Sequence, residues 1–221
     1  MFEIYDRLLQ FTLFQGMSHA DLMQVAGHTK FSFSKLAAGK RLAREGDACT
    51  QLHFVVSGML RAETSCDDHS WRVVEQVSAP YTVQPERIFG ISQRYTSSFT
   101  AKTPCSLISI DKQEVLLLLD TQLVFRLNML NIMAAETHRL QHHAWRAAPR
   151  TLRDALVRFF FAHSLYPAGA KTFYILMNQL ALILNDSRID VSRVLNQLQD
   201  EQLLTLHRGR IEIPSLEHLL M

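Results

Sequence analysis

Residues 179–198, Gln-Leu-Ala-Leu-Ile-Leu-Asn-Asp-Ser-Arg-Ile-Asp-Val-Ser-Arg-Val-Leu-Asn-Gln-Leu, constrain the fold more tightly than any other stretch of this chain. Leu180, Ile183 and Leu184 share one apolar face of a short helix, and Ala181 is small enough for a second helix to approach closely. The spacing breaks at Asn185-Asp186-Ser187, where asparagine tolerates the left-handed backbone that a tight turn needs. Ser187 followed by Asp190 predicts a helix start closed by a capping box. Beyond it, Val191, Val194, Leu195 and Leu198 recur at i, i+3, i+4 and i+7, which is one buried stripe. Two short helices around a tight turn form the unit that sets its second helix in a DNA major groove.

The opposite stripe of that second helix carries Arg188, Ile189, Ser192, Arg193 and Asn196. In this motif the N-terminal end of the helix meets base edges and phosphates. Arginine pairs with guanine, and serine bonds either a base or a phosphate. Ile189 is the exception, an apolar side chain among polar ones, and it has the chemistry to contact a thymine methyl. Asp190 is read as the cap rather than as an acceptor for a cytosine amine. Ser187, together with Asn178 and Gln179 at the head of the first helix, completes this part of the candidate DNA-binding set.

Flanking segments extend the motif. Thr172 to Leu176 is β-prone and follows the breaker Pro167-Ala-Gly-Ala170. Leu203 to His207 and Arg210 to Ile213 bracket Arg208-Gly209, a hairpin with a basic turn. Strand, helix, turn, helix and hairpin in that order make a winged helix, whose His207, Arg208 and Arg210 are placed to reach phosphates.

With these residues in place, the chain resembles the cyclic-AMP receptor protein / fumarate–nitrate regulator (Crp/Fnr) family of bacterial transcription factors. The resemblance rests on Ser-Arg-x-x-Val-x-Arg-x-Leu at Ser187 to Leu195 and on the opening Leu13-Phe-Gln-Gly-Met-Ser18. It continues through Ala38-Gly-Lys-Arg-Leu42, Glu45-Gly-Asp47 and Leu52-His-Phe-Val-Val-Ser-Gly58, so it spans nearly the whole chain. It implies an α+β chain with three parts. An N-terminal antiparallel β-roll of the jelly-roll, cyclic-nucleotide-binding type would occupy residues 1–120, a long dimerisation helix 121–147, and a winged helix-turn-helix 148–221. The implied partners are double-stranded DNA, a second copy of the chain, RNA polymerase and a small-molecule effector.

Local patterning agrees with the roll. Short β-branched and aromatic runs at Phe31 to Phe33, Leu52 to Val56, Trp71 to Val77 and Ser106 to Ile110 are punctuated by Gly39, Gly46, Gly58, Asp67-Asp68 and Pro80. In the family's cyclic-nucleotide binders, a Gly-Glu pair holds the ribose and an Arg followed by Ser holds the cyclic phosphate. An ungapped alignment between Gly58 and Ala101-Lys-Thr103 puts Gln84-Pro85 and Tyr95-Thr96 at those places. Proline has no N–H to donate and tyrosine brings no positive charge, so an effector other than cyclic AMP is expected. Glu86 and Arg94 lie one residue off register, and one step along a strand reverses the side-chain direction. Gln84, Glu86, Arg94, Tyr95 and Thr96 are the candidate effector-pocket residues.

The family's other sensing chemistries are weighed in the same way. An iron–sulfur centre needs about four cysteine ligands, and Cys49, Cys66 and Cys105 are three, without close spacing. Haem stays open, because axial His or Met ligands leave no diagnostic spacing. His138 and His142 lie at i, i+4 on a predicted helix with His143 beside them. Two imidazoles make an incomplete metal site, and a solvated or dimer-facing surface is the reading taken, with no metal expected.

Between roll and winged helix, Lys112 to Leu119 reads as a short helix with Asp111 as its cap. Leu123, Leu127, Leu130, Met133, Thr137, Leu140 and Ala144 then recur at spacings of three and four, a helix–helix seam interrupted at Thr137. A seam of this kind pairs two copies and sets two recognition helices about 34 Å apart, matching successive major grooves. Ala147-Ala-Pro149 ends the bridge. Leu152, Ala155, Leu156, Phe159, Phe160 and His163 then line a new amphipathic helix.

Composition narrows the class. With 221 residues and 48% apolar content the chain can build two cores. Its longest aliphatic run, Val115 to Leu119, is too short to span a bilayer, and no secretory signal opens the sequence. Sparse, odd cysteine usage points to the reducing cytoplasm. Residues 146–221 carry nine Lys or Arg against seven Asp or Glu, so placement of the arginines matters more than total field. A phosphate-binding Gly-rich loop, a paired-Cys zinc motif, His-Glu-x-x-His and Gly-x-Ser-x-Gly are all missing, and no enzyme is expected. The competing expectation is a ligand-binding or protein-interaction module whose winged helix does not read DNA.

Overall fold

The computed structural model describes residues 2–144 and 146–220, and the side chains of residues 5–141 and 146–220. Helices α1 (Phe2–Leu8) and α2 (His19–His28) precede eight short strands. These are β1 (Ser32–Leu36), β2 (Arg41–Ala43), β3 (Gln51–Ser57), β4 (Met59–Ser65), β5 (Arg72–Ser78), β6 (Tyr81–Thr82), β7 (Ser98–Ala101) and β8 (Cys105–Asp111). Helices α3 (Lys112–Thr121), α4 (Leu123–Ala144) and α5 (Leu152–Ala162) follow. The remainder is β9 (Lys171–Tyr174), α6 (Met177–Leu184), α7 (Arg188–Asp200), β10 (Thr205–His207) and β11 (Arg210–Ile213). The chain forms two compact units, residues 1–60 with 77–144 and residues 61–76 with 145–221.

In the first unit an antiparallel sheet runs in the order β1, β8, β3, β6, and β2 pairs with β7. Apolar side chains from its strands, among them Leu52, Phe54, Phe99 and Ile108, are buried together with Phe14 and Phe125. Gly58 joins β3 to β4 at φ 94°, and a Cβ there would sit 2.5 Å from the Pro104 carbonyl oxygen. Only glycine fits that crossing. Asp111 does precede α3, but its carboxylate accepts from the Gln51 side-chain amide instead of capping the helix.

Helix α4 has two unlike faces. Phe125 and Met129 are buried, and the Asn128 side-chain amide donates to the carbonyls of Leu13 (3.2 Å) and Gln15 (2.9 Å), so this face is held by the chain's own N-terminal turn. Leu123, Leu127, Leu130, Met133, Thr137 and Leu140 are exposed on the helix, with Leu140 at 62%. The Ala144 and His142 side chains fall outside the described residues. Among the described residues no helix is long and apolar enough to cross a membrane.

The second unit does not follow the expected boundaries of 1–120, 121–147 and 148–221. Its core joins Leu156, Phe160, Phe173, Leu180, Val191, Leu195, Leu198, Ile211 and Ile213, and Val73 belongs to it as well. Strand β5 pairs antiparallel with β9, matching Arg72 to Tyr174 and Glu75 to Lys171, and β9 pairs in turn with β11. The Trp71 ring packs on Phe159 and edge-on to His163, with centroids 5.3 and 4.9 Å away. At the end of the pairing, Lys171 Nζ lies 2.7 Å from Glu75 Oε1, with both side chains at most 2% exposed. The same carboxylate accepts from the backbone N–H of Leu165 (2.8 Å) and Tyr166 (3.4 Å). A buried ion pair persists when further hydrogen bonds complete it, and this one has two. Within the Trp71 to Val77 run, expected as sensor strand alone, Trp71 and Val73 therefore supply core to the C-terminal unit.

Candidate nucleic-acid interface

Helix α6 begins after Leu176, whose N–H donates to Gln179 Oε1 at 3.2 Å. Gln179, expected to face DNA, thus spends its carbonyl oxygen on the helix start, while Asn178 beside it is exposed. Leu180 and Ala181 are buried against α7, which is why a small residue is needed at 181. Ile183, expected on the buried face, is 44% exposed. The helix ends at Asn185, which has φ 52° and ψ 46°, the left-handed conformation expected of it.

The start of α7 is built differently from a full capping box. Ser187 Oγ accepts from the Asp190 N–H at 3.0 Å, as expected. The Ser187 N–H goes to Asp186 Oδ1 at 2.7 Å, because the preceding aspartate is nearer. The Asp190 carboxylate is left to accept the Ser187 hydroxyl at 2.6 Å, and its Oδ1 pairs with Arg193 at 2.7 Å. These contacts, the Ser187 hydroxyl foremost, hold the Asp190 carboxyl below its ordinary range. Asp190 therefore joins the helix cap to Arg193.

Val191, Leu195 and Leu198 are fully buried, so the opposite stripe of α7 faces solvent. Arg188, Ile189, Ser192, Arg193 and Asn196 line one common depression there. Ile189 is 73% exposed. A second depression brings Asn178 and Arg188 together with His207, Arg208 and Arg210 of the wing. The wing turn is carried by Gly209 at φ 71°. Glu212, absent from the expectations, sits 3.2 Å from Arg210 Nε and 3.4 Å from His207 Nε2. Its signal was available, since residues two apart on a strand share a face. Arg208 is exposed at the tip. Two ties fix this surface to the body: Arg153 pairs in bidentate fashion with Glu201 at 2.7 Å, and Gln199 Oε1 accepts the Leu206 N–H at 2.7 Å.

In the first unit, the candidate effector residues divide. Gln84 is buried with φ 38°, its amide donates to Thr96 Oγ1 (2.6 Å) and Ser97 Oγ (3.4 Å), and its carbonyl accepts the Thr96 N–H (3.0 Å). Gln84 and Thr96 are thus brought together. The Tyr95 hydroxyl is buried and donates to the Gln51 carbonyl at 3.3 Å, and burial pushes its pKa far above the ordinary phenol value. Arg94 turns away, donating to the Gly46 carbonyl at 2.7 Å. Glu86 is half-buried 3.5 Å from Arg87, and desolvation raises its carboxyl pKa. Among the described residues, no three His, Cys, Asp or Glu side chains converge as metal ligands, and His138 is exposed on α4.

Residues 33–122 match the family model of the cyclic nucleotide-binding domain, and residues 154–221 match that of the Crp-like helix-turn-helix domain. No curated protein matches the chain. The catabolite activator protein of Thermus thermophilus is similar in structure, with 21% identity, 95% of this chain and 96% of that one covered, and a TM-score of 0.53. The sensor domain of the transcriptional regulator DNR from Pseudomonas aeruginosa is 16% identical, covering 67% of this chain and 96% of its own, also with a TM-score of 0.53. At such identities the likeness is one of fold.

Proposed function

Because the chain belongs to the Crp/Fnr family by its architecture, a cyclic nucleotide-binding domain followed by a Crp-like helix-turn-helix, we propose that it is a homodimeric, sequence-specific regulator of transcription acting in the cytoplasm. The observation that carries the DNA-reading assignment is the solvent face of α7. Two arginines, a serine and an asparagine share one depression at the end of the helix that this motif presents to the major groove. Arg193 is held on that face by Asp190, which reduces the ordering cost of a bidentate contact to guanine. Asn178 and Arg208 flank it as phosphate contacts. His207 and Arg210 reach phosphate only in competition with Glu212.

The exposed stripe from Leu123 to Leu140 supports pairing of two copies through α4, since a monomer has no use for five large apolar side chains in water. RNA polymerase is then the partner at a promoter. The roll's effector is taken to be something other than a cyclic nucleotide. The Thr96 N–H is occupied by Gln84, the only arginine of the candidate set points to Gly46, and Pro85 has no donor, so these residues do not fit a cyclic phosphate. Whatever the effector, it acts by binding one orientation of the DNA-reading units more tightly than another. The protein-interaction alternative is disfavoured by the charged flanks of Ile189. Arg193→Ala tests the reading: selective DNA binding should be lost with dimerisation intact, and unchanged DNA affinity would overturn it.

A further inference from the structure

Ile189 is poorly explained by the fold. It sits at the second position of α7, is 73% exposed, and contributes nothing to the core formed by Val191, Leu195 and Leu198 on the other side. A β-branched side chain also gains little in a helix, so local stability does not account for it. Its neighbours on the face are Arg188, Ser192, Arg193 and Asn196, which suit a polyanion and not the apolar surface of another protein. On a duplex, the apolar group displayed in the major groove is the C5 methyl of thymine, which cytosine and the purines lack.

We propose that Ile189 reads a thymine methyl in each operator half-site and is a specificity-determining residue of this chain. The proposal rests on the DNA-reading assignment above. Ile189 and Arg193 stand at i and i+4 and share one ridge of the helix. Arg193, paired with Asp190 at 2.7 Å, presents its guanidinium on that ridge one turn from Ile189. The side chain exposed in the free protein then loses water on both sides of the contact, and removal of the one methyl should weaken binding about fourfold per half-site. Substitution in both half-sites should cost about sixteenfold.

The test uses the full-length protein and a randomised duplex library at low salt to obtain an operator. Each thymine of that operator is then replaced by deoxyuridine, which removes the methyl and leaves base pairing intact. Affinities are read by fluorescence anisotropy for the wild type and for Ile189→Ala. The expected result is one thymine per half-site at which uracil weakens the wild type about fourfold and leaves Ile189→Ala unaffected. Ile189→Val should retain most of the discrimination. Uracil tolerated at every position would overturn the proposal, as would an equal uracil effect in Ile189→Ala, while selective binding itself persists. No enriched sequence at all would instead remove the DNA-reading assignment, and this proposal with it. Because Ile189 is exposed, its replacement by alanine should leave the fold intact, and circular dichroism is the check.

Discussion

Replacing Lys171 with methionine removes an ammonium group that is 2% exposed and leaves Glu75, 1% exposed, as a buried carboxylate with only the N–H groups of Leu165 and Tyr166. Breaking a buried pair from one side costs about 3–5 kcal/mol. The two retained backbone donors place Lys171→Met toward the low end. Glu75→Leu should be worse, since it strands both an ammonium and two amide donors, each orphan adding about 1–3 kcal/mol. The double variant Glu75→Leu/Lys171→Met should recover part of that loss, because no unpaired charge remains buried. Urea unfolding followed by tryptophan fluorescence is the assay. Trp71, packed on Phe159 in the C-terminal unit, is the reporter. A loss of about 3 kcal/mol would lower the midpoint by about 1 M or more. A Lys171→Met variant within about 1 kcal/mol of wild type would show that residues 61–76 are not part of the folded unit.

Other substitutions bear on separate links. A fragment of residues 146–221 should bind apolar dye and unfold early, because without Trp71 and Val73 the Phe159 and Phe173 rings lose cover; a cooperative, dye-free transition would contradict this. Leu127→Glu with Leu130→Glu should give monomers in sedimentation velocity and weaken operator binding, and a persistent dimer would point to another interface. Ser187→Ala should cost about 1 kcal/mol of stability through lost capping, with a smaller change meaning that Asp186 suffices to hold the turn. Arg208→Ala should reduce the slope of log affinity against log salt by about two, roughly one for each wing of the dimer, and an unchanged slope would take the wing tip off the phosphates.

The helix-turn-helix was legible in the sequence because its determinants are local. Asn185, Ser187 and the stripe Val191, Leu195, Leu198 each act within a turn or two of themselves. Where the local rule has two solutions, the sequence does not choose between them: Asp186 takes the Ser187 N–H and leaves Asp190 to Arg193. The strands β1, β3, β5 and β8 match apolar runs, whereas β2, β6 and β7 are short and, like the seven-residue β4, were not anticipated. Least visible was the union of Trp71, Val73 and Glu75 with the C-terminal unit. Glu75 and Lys171 are far apart in the sequence, and no periodicity within either segment announces the pairing. The Gln84 to Thr96 bonds were not legible, because they depend on a left-handed backbone at a glutamine.

The most direct measurement is selection of the purified full-length protein on a randomised duplex library, at low ionic strength and with cell extract supplying the effector. The account predicts enrichment of an inverted repeat whose half-site centres lie about one helical turn apart, with enrichment lost in Arg193→Ala. A pool that remains random after repeated rounds, with the same weak retention for wild type and Arg193→Ala, would contradict it.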